Sequence, residues 1–299
     1  MTTHMITLNR GRVIMNHTLI LLTIITLSFL SDVYAQETAS DDYYNEIDSY
    51  VRYLPSRSTE SQSGKVQITE SEFKYDYQFK AFNQLPIELL VKSQYIGINN
   101  STAFDLPAHL TGVTTGIETA VPLFNIEKAY FHVDVRPSFF SDEWTFRSSD
   151  FRIPSRYSVI YKLNDRWIFI GGVAVYPRYQ DSVAPIVGFI YKASDKLTFD
   201  MVPERYNVSY ALTDKSTLFI EGGDSFNEFN VTRDNTKNVI LRYTEAHLGG
   251  GIRHKINRYI EASLSAGEIF DNKLKYRDTG EKIKLKNCPY IEFRIQIKI

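Results

Sequence analysis

The chain has 299 residues, of which 43% are hydrophobic and 14% aromatic, so most of it can form a packed core or cover a membrane-facing surface. It carries 34 Lys and Arg against 35 Asp and Glu, and this near balance provides no basic field to hold nucleic acid. A single cysteine excludes both an internal disulfide framework and a paired-cysteine metal site.

The N-terminal residues have the pattern of a secretory signal peptide. An uncharged run from Val13 to Ser31 follows two arginines and ends close to "VYA", Val33 to Ala35, which offers the residues that signal peptidase reads. Residues 1–35 are therefore predicted to be a cleaved signal peptide, and the alternative is a membrane-anchoring helix. Met15 is a second candidate start that would leave the same apolar run.

The mature chain begins without a clear pattern and then takes on the period of β-strands. Residues 36–63 are polar and acidic with no sustained period, which predicts a loosely ordered segment. From residue 64 onward the dominant period is two. The last ten residues, "YIEFRIQIKI", alternate most regularly, with Glu292 and Arg294 on the polar face and Phe293 on the apolar one.

Four short polar motifs punctuate the second half of the chain: "LNDR", "ASDK", "TDKS" and "KINR". Consecutive motifs enclose a strand, a loop and a returning strand, and the longest of these predicted loops is Asp224–Lys237. Connections are therefore short at one end and variable at the other. This asymmetry is typical of bacterial outer-membrane barrels, whose short turns are periplasmic.

Strand counting predicts the fold class. We count thirteen strands, whereas single-chain bacterial barrels have an even number, so either Gly64–Thr69 forms a further strand or one segment is not a strand. The prediction is an all-β protein, an antiparallel up-and-down transmembrane β-barrel of about 12 to 14 strands over residues 64–299.

The residues also resemble a known family. The stretches "YSVIYKLNDRWIFIGG", "MVPERYNVSYAL" and "LRYTEAHLGGGIRHKINRYIEASLSAGEIFDNKLKY" are similar, in this order, to the uncharacterised bacterial outer-membrane barrels grouped as domain of unknown function 6268. The resemblance covers residues 64–299 and implies a barrel with an outer-membrane address, but it brings no established activity and no catalytic residues. The terminal Ile299 departs from the aromatic residue that commonly ends outer-membrane strands.

If the apolar faces meet lipid, the charged residues between them point into the lumen, because an Arg or Lys on the lipid face costs about 2 to 4 kcal/mol at the midplane. Around "KINR", a register that pairs Arg253 with Glu261 also places Gly251 opposite Ser263, and it predicts an internal ion pair between Arg253 and Glu261. The predicted lumen-facing residues are Glu245, His247, Arg253, Glu261, Glu292 and Arg294.

These features predict an outer-membrane barrel with no enzymatic activity, cofactor or metal, acting as a porin-like channel or as a structural protein. Outer-membrane lipid and, during insertion, the barrel-assembly machinery are the expected partners. Two alternatives stay open. One is a membrane-embedded lipid hydrolase in which His247 is a general base for Ser263 or Ser265, and the other is a secreted soluble ligand-binding barrel. His132 and Asp134 share a strand face and form at best a weak metal pair.

Overall fold

The computed structural model describes residues 44–60, 63–82, 85–124, 126–144, 147–203 and 205–299. The regular elements in these ranges are all β-strands: β1 (Tyr44–Ser58), β2 (Lys65–Ala81), β3 (Leu85–Asn100), β4 (His109–Pro122), β5 (Ala129–Val135), β6 (Ser138–Ser141), β7 (Phe151–Arg152), β8 (Ser155–Lys162), β9 (Trp167–Val175), β10 (Val183–Lys192), β11 (Leu197–Met201), β12 (Tyr206–Ala211), β13 (Ser216–Arg233), β14 (Thr236–Lys255), β15 (Ile260–Tyr276), β16 (Lys282–Lys284) and β17 (Cys288–Lys298). No helix in the described ranges is long and apolar enough to cross a membrane. The predicted signal peptide, residues 1–35, lies outside them.

Fourteen strands close into an antiparallel barrel, and this confirms the predicted fold class. The ring runs from β1 through β5, continues from β8 through β15, and ends with β17, which pairs with β1. The closing seam places Ile47 opposite Ile297 and Arg52 opposite Glu292. The remaining strands β6, β7 and β16 are short additions at one end of the barrel.

The first strand corrects the prediction for the N-terminal part of the mature chain. Residues 36–63 were predicted to be loosely ordered, but Tyr44–Ser58 forms β1, which pairs with β2 on one side and β17 on the other. Gly64–Thr69 is not a separate strand, because residues 65–69 are the first residues of β2. The alternation of polar and apolar residues in β1 is weak, because Ser49 is a polar residue on the outward face. The outward face therefore differs little in polarity from the inward face around Arg52.

The strands on one side of the barrel reverse their polarity along their length. On β2, the inward side chains Val66 and Ile68 are fully buried, and further along the same face come Glu70 and Asp76. The outward face is polar beside Val66 and becomes aromatic from Phe73 to Phe79. The barrel therefore has two sections. The membrane section is the end near the short turns and contains residues 72–81 of β2 and the strands beside them. The upper section is the other end and contains residues 65–71 of β2 and the strands beside them.

The outward face of the membrane section is apolar. Val187 is 77% exposed, Ile220 is 59% exposed and Ile291 is 58% exposed, and all three point away from the lumen. A soluble barrel would turn such side chains inward, whereas a transmembrane barrel presents them to lipid as a continuous band. The alternative of a secreted soluble barrel therefore does not fit this surface.

The upper section follows a different circuit of strands. The short strand β6 pairs with β4 and also pairs with β13 in parallel, through Ser141 and Asn230. At this level the wall runs from β4 through β6 to β13 and omits the strands from β8 to β12. A barrel of about eight strands is just wide enough to be filled by side chains. Its interior is an apolar core that includes Leu54, Ile68, Ile96, Leu110, Phe140, Phe229, Leu241, Ile269, Leu274, Tyr276, Ile283 and Leu285.

The hairpin of β13 and β14 is the longest in the barrel, with strands of 18 and 20 residues. The predicted polar loop Asp224–Lys237 is therefore wrong, because strand pairing continues to Arg233 and resumes at Thr236. Asp234 and Asn235 alone connect the strands, with φ angles of 47° and 61°. Two consecutive residues at positive φ are what a tight type I′ hairpin requires, and Asp and Asn tolerate this conformation.

The four polar motifs form turns at the opposite end, and a side-chain oxygen organises each of them in the same way. Asn164 Oδ1 accepts hydrogen bonds from the backbone N–H groups of Arg166 and Trp167, both at 2.9 Å. The equivalent acceptors in the other motifs are Ser194, Thr213 and Asn257, each bonded to the N–H groups two and three residues later. Such side-chain turns explain why each motif contains a small polar residue.

Candidate functional site

The lumen contains a buried ionic cluster, the Arg52 cluster, made of Arg52, Glu70, Glu245, Glu292 and Tyr243. Arg52 Nη1 lies 2.9 Å from Glu245 Oε1 and 3.3 Å from Glu70 Oε2, and Arg52 Nη2 lies 2.8 Å from Glu292 Oε2. The Tyr243 hydroxyl lies 2.7 Å from Glu70 Oε1 and 2.8 Å from Glu245 Oε2. Strands β1 and β14 are not neighbours in the wall, so these side chains meet across the interior.

The Arg52 cluster marks the boundary between the two sections. All its side chains are buried, and above it the lumen is filled by the apolar core. Arg294 supplies a second guanidinium, with Nη2 3.1 Å from Glu292 Oε1. Three carboxylates then face two guanidinium groups, and the hydroxyl of Tyr243 offers a hydrogen bond that offsets part of the remaining negative charge. The ring of Tyr290 adds a cation–π contact, with its centroid 5.0 Å from Arg52 Cζ. Because its groups are mutually bonded, the cluster closes this part of the lumen with polar side chains.

Three further arginines lie closer to the short turns, and each is paired with a carboxylate. Arg294 Nη1 lies 3.1 Å from Asp48 Oδ2, and Arg205 Nη2 lies 2.8 Å from Glu221 Oε2. Together with Arg253 they border a small polar cavity of about 100 Å³.

The structure places all six predicted lumen-facing residues on the inner wall. Glu245 and Glu292 belong to the Arg52 cluster, whereas Arg253, Glu261 and Arg294 border the small polar cavity. His247 packs edge-on against Tyr290, with ring centroids 6.1 Å apart.

The register around "KINR" differs from the predicted one by two residues. Arg253 lies opposite Ser263, and Glu261 lies opposite Lys255. The turn lies further along the chain than predicted because Asn257 Oδ1 binds the N–H groups of Tyr259 and Ile260. A shift of two keeps every side chain on its predicted face, since the strand period is two. The ion pair therefore forms diagonally, with Arg253 Nε 3.2 Å from Glu261 Oε1.

The hydrolase alternative receives no support from the placement of His247. In the actual register His247 lies opposite Ile269, while Ser265 lies opposite Gly251 and Ser263 opposite Arg253. Four residues along a strand separate His247 from Gly251, a distance of roughly 13 Å at about 3.3 Å per residue. Neither serine is a neighbour of His247.

Another histidine does link a serine to a carboxylate. His132 Nε2 lies 2.8 Å from Glu118 Oε1, and His132 Nδ1 lies 3.3 Å from Ser158 Oγ, in a row across β4, β5 and β8. Ser158 is buried, and the backbone of its strand is paired with β5 and β9 on its two sides. Free N–H donors for an oxyanion are therefore lacking at this point of the wall. We interpret the row as a hydrogen-bonded part of the lumen wall.

Water reaches much of the membrane section from inside. The inward side chains of Glu118, Arg205 and Arg253 are 33%, 43% and 30% exposed. The wall formed by β8, β9 and β10 is less polar, because five of its inward residues are half-buried isoleucines: Ile160, Ile168, Ile170, Ile186 and Ile190. The lumen thus has a charged side and a less polar side.

A set of buried residues, the roof, covers the β8–β12 side of the lumen and consists of Asp150, Arg152, Tyr179 and Asn230. Asn230 Nδ2 donates a hydrogen bond of 2.6 Å to Asp150 Oδ1 and so ties β13 to the segment before β7. The connection between β9 and β10, residues 176–182, crosses the ends of β11 and β12 to reach β13. Burial in this connection raises the pKa of the Tyr179 hydroxyl, which keeps it neutral.

Arg52, Glu70, Arg205 and Glu221 are the lumen residues that sequence reasoning missed. The signal in "DSYVRYL" was present, since Asp48, Tyr50 and Arg52 alternate with other residues, but the opposite face is too mixed to identify a strand.

No protein-family model and no curated protein matches the chain. Solved structures that resemble it include an outer-membrane channel from Pseudomonas putida F1, with 10% identity, a TM-score of 0.47 and coverage of 88% of this chain and 97% of that chain. A Pseudomonas aeruginosa FadL homologue has 9% identity, a TM-score of 0.48 and coverage of 86% and 90%. The NanC porin has 11% identity, a TM-score of 0.41 and coverage of 85% and 100%. All three TM-scores are below 0.5.

Proposed function

We propose that this protein is a porin-like channel of the outer membrane whose lumen is closed at its upper end in this conformation. The observation that carries the proposal is the combination of water-exposed inward charges, such as Glu118 and Arg205, with an apolar band facing outward. A wet, charged lumen inside a lipid-facing wall is the arrangement that lets small polar solutes enter a membrane. We propose no enzymatic role.

The proposed orientation places the short turns in the periplasm and the upper section outside the cell. The general asymmetry of outer-membrane barrels supports this orientation. Cleavage after residue 35, insertion by the barrel-assembly machinery and contact with outer-membrane lipid follow from the same proposal. Membership of the domain of unknown function 6268 family is likewise a proposal, supported by the hairpin sequences quoted above.

The experiment is single-channel recording of refolded protein in planar bilayers. The wild-type chain is expected to give rare and small conductance steps, because the apolar core and the roof close the upper end. Deletion of residues 177–181 removes the connection that reaches over β11 and β12, and larger and more frequent steps are expected. A matched control is deletion of residues 278–280, which lie in the connection between β15 and β16.

Both variants must first show the heat-modifiable electrophoretic migration of a closed barrel. Bilayers that contain folded protein and stay silent in the wild type and in both variants would contradict a channel. That result would favour a structural role for the barrel.

A further inference from the structure

We propose that the outer wall of the upper section binds the phosphorylated headgroup of an outer-leaflet lipid. The site is a basic groove defined by Arg242, Lys273, Lys275 and Lys282, with Lys284 beside it. The groove has a volume of about 360 Å³ and lies on the outward faces of β14, β15 and β16. The position of the groove in the outer leaflet rests on the proposed membrane orientation. The binding of a lipid headgroup there is a separate inference from the channel function.

Strand register brings the cations together in two neighbouring rows. Arg242 on β14 lies opposite Lys275 on β15, and Lys275 lies opposite Lys282 on β16. One row nearer the membrane, Lys273 lies opposite Lys284. Residues directly opposite in an antiparallel pair have Cβ atoms about 4.5 to 5.5 Å apart, and like charges in such pairs are destabilising. Five cations are thus held side by side without the separation that a solvated surface would normally provide.

The carboxylates nearby compensate only part of this charge. Lys273 Nζ lies 2.6 Å from Asp271 Oδ1, Lys284 Nζ lies 2.9 Å from Glu60 Oε1, and Arg242 is bonded to Asp181. Asp224 also lines the groove, so five cations minus four carboxylates leave a net charge of +1. Glu245, which reaches the groove from the inner side, is bonded to Arg52.

The excess is concentrated on Lys275 and Lys282. Among the described residues, neither lysine has a carboxylate within ion-pair distance, and they face each other across the β15–β16 pair. Glu228, the neighbour of Arg242 on β13, is occupied elsewhere, because it binds Arg277 Nη1 at 3.1 Å. An anionic group placed between the two lysines would remove their repulsion and form charge-assisted hydrogen bonds.

The height of the groove selects a lipid headgroup as the anion. Along the outward face of β15, Leu264 and Ala266 belong to the lipid-facing band, the exposed Glu268 and then Phe270 follow at its edge, and Lys273 and Lys275 come next. The groove therefore lies where the apolar band meets water, which is the level of lipid phosphates. The ring of Phe226, 5.2 Å from Arg242 Cζ, gives the groove an apolar side that suits a lipid.

The test compares the wild-type chain with the double variant Lys275→Ser/Lys282→Ser in detergent micelles. The probes are purified lipopolysaccharide, the same lipopolysaccharide after enzymatic dephosphorylation, and inorganic pyrophosphate. The readouts are the dissociation constant and the rise in thermal midpoint on titration. Loss of two charge-assisted contacts is expected to weaken lipopolysaccharide binding by roughly tenfold or more. The matched control is Lys196→Ser/Lys215→Ser, which removes two exposed lysines at the short turns and should leave binding unchanged.

Tight binding of lipopolysaccharide that is weakened both by dephosphorylation and by Lys275→Ser/Lys282→Ser supports the inference. Equal binding by the wild type and the double variant overturns it, and so does pyrophosphate binding as tight as that of lipopolysaccharide, since the site would then serve free phosphates. Insertion into lipid vesicles is scored separately. A wild-type chain that does not insert contradicts the proposed function as well, whereas normal insertion with unchanged lipid binding overturns the groove alone.

Discussion

The charges of the Arg52 cluster are tolerated in the interior because each charged side chain has more than one partner. Arg52 is surrounded by three carboxylates, and loss of one partner of a buried ion pair typically costs about 3 to 5 kcal/mol because the others are left uncompensated. Contacts across the lumen were beyond sequence reasoning, because Arg52 and Glu245 lie on strands that are not neighbours and meet only through the curvature of the wall. The pair of Arg253 and Glu261 could be predicted, because both residues flank one hairpin turn.

Charge-reversal variants test the interaction between Arg253 and Glu261. Arg253→Glu places a third carboxylate beside Glu261 and Glu221, and Glu261→Arg brings two guanidinium groups together. Each single reversal is expected to lower the free energy of unfolding by about 1 kcal/mol, since the pair is partly exposed. The double reversal should recover part of that loss, as measured by urea unfolding in lipid vesicles.

Lys196→Glu is the control for a charge reversal outside the lumen and should have little effect. A double reversal that is as unstable as the sum of the two single reversals would show that the two side chains do not interact.

The strands were predictable where lipid imposes a contrast between their two faces. β17 alternates isoleucines and phenylalanine with charged residues, so its faces were identified correctly from the sequence. β1 was missed because its outward face contains Ser49. The reversal of polarity along β2 was missed because an alternation with period two continues through both sections and does not show where the membrane section begins. The β13–β14 hairpin was mistaken for a loop because its upper residues are polar on the outside.

Closure of the barrel by β1 can be tested with a proline substitution in this strand. Val51 lies opposite Phe293 on β17 and Ser71 on β2, so its N–H group belongs to a ladder on one side or the other. Val51→Pro removes that donor and leaves an acceptor unsatisfied, at a cost of about 1 to 3 kcal/mol. We expect loss of heat-modifiable migration after refolding. Val51→Ala keeps the N–H group and should still close, and closure of Val51→Pro with wild-type yield would contradict the assignment of β1 to the ring.

The whole molecule combines a wide membrane section with a narrower, filled upper section. The sequence predicted the barrel class and the grouping of the short turns at one end, because alternation and loop length are local properties. It could not predict that β6 passes from β4 to β13, since this contact joins Ser141 to Asn230 and depends on the closed fold. The covering of the lumen by the apolar core and the roof therefore depends on the tertiary structure alone.

Side-specific labelling of a lumen residue tests this account most directly. Glu118→Cys is introduced together with Cys288→Ser, which removes the single native cysteine. A membrane-impermeant thiol reagent should leave Cys at position 118 unlabelled in intact cells, and it should label that cysteine in isolated outer membranes, where the periplasmic face is accessible. Lys286→Cys in the upper section should be labelled in both preparations. Labelling of position 118 in intact cells as fast as at position 286 would contradict a lumen that is capped on the outside and open to the periplasm.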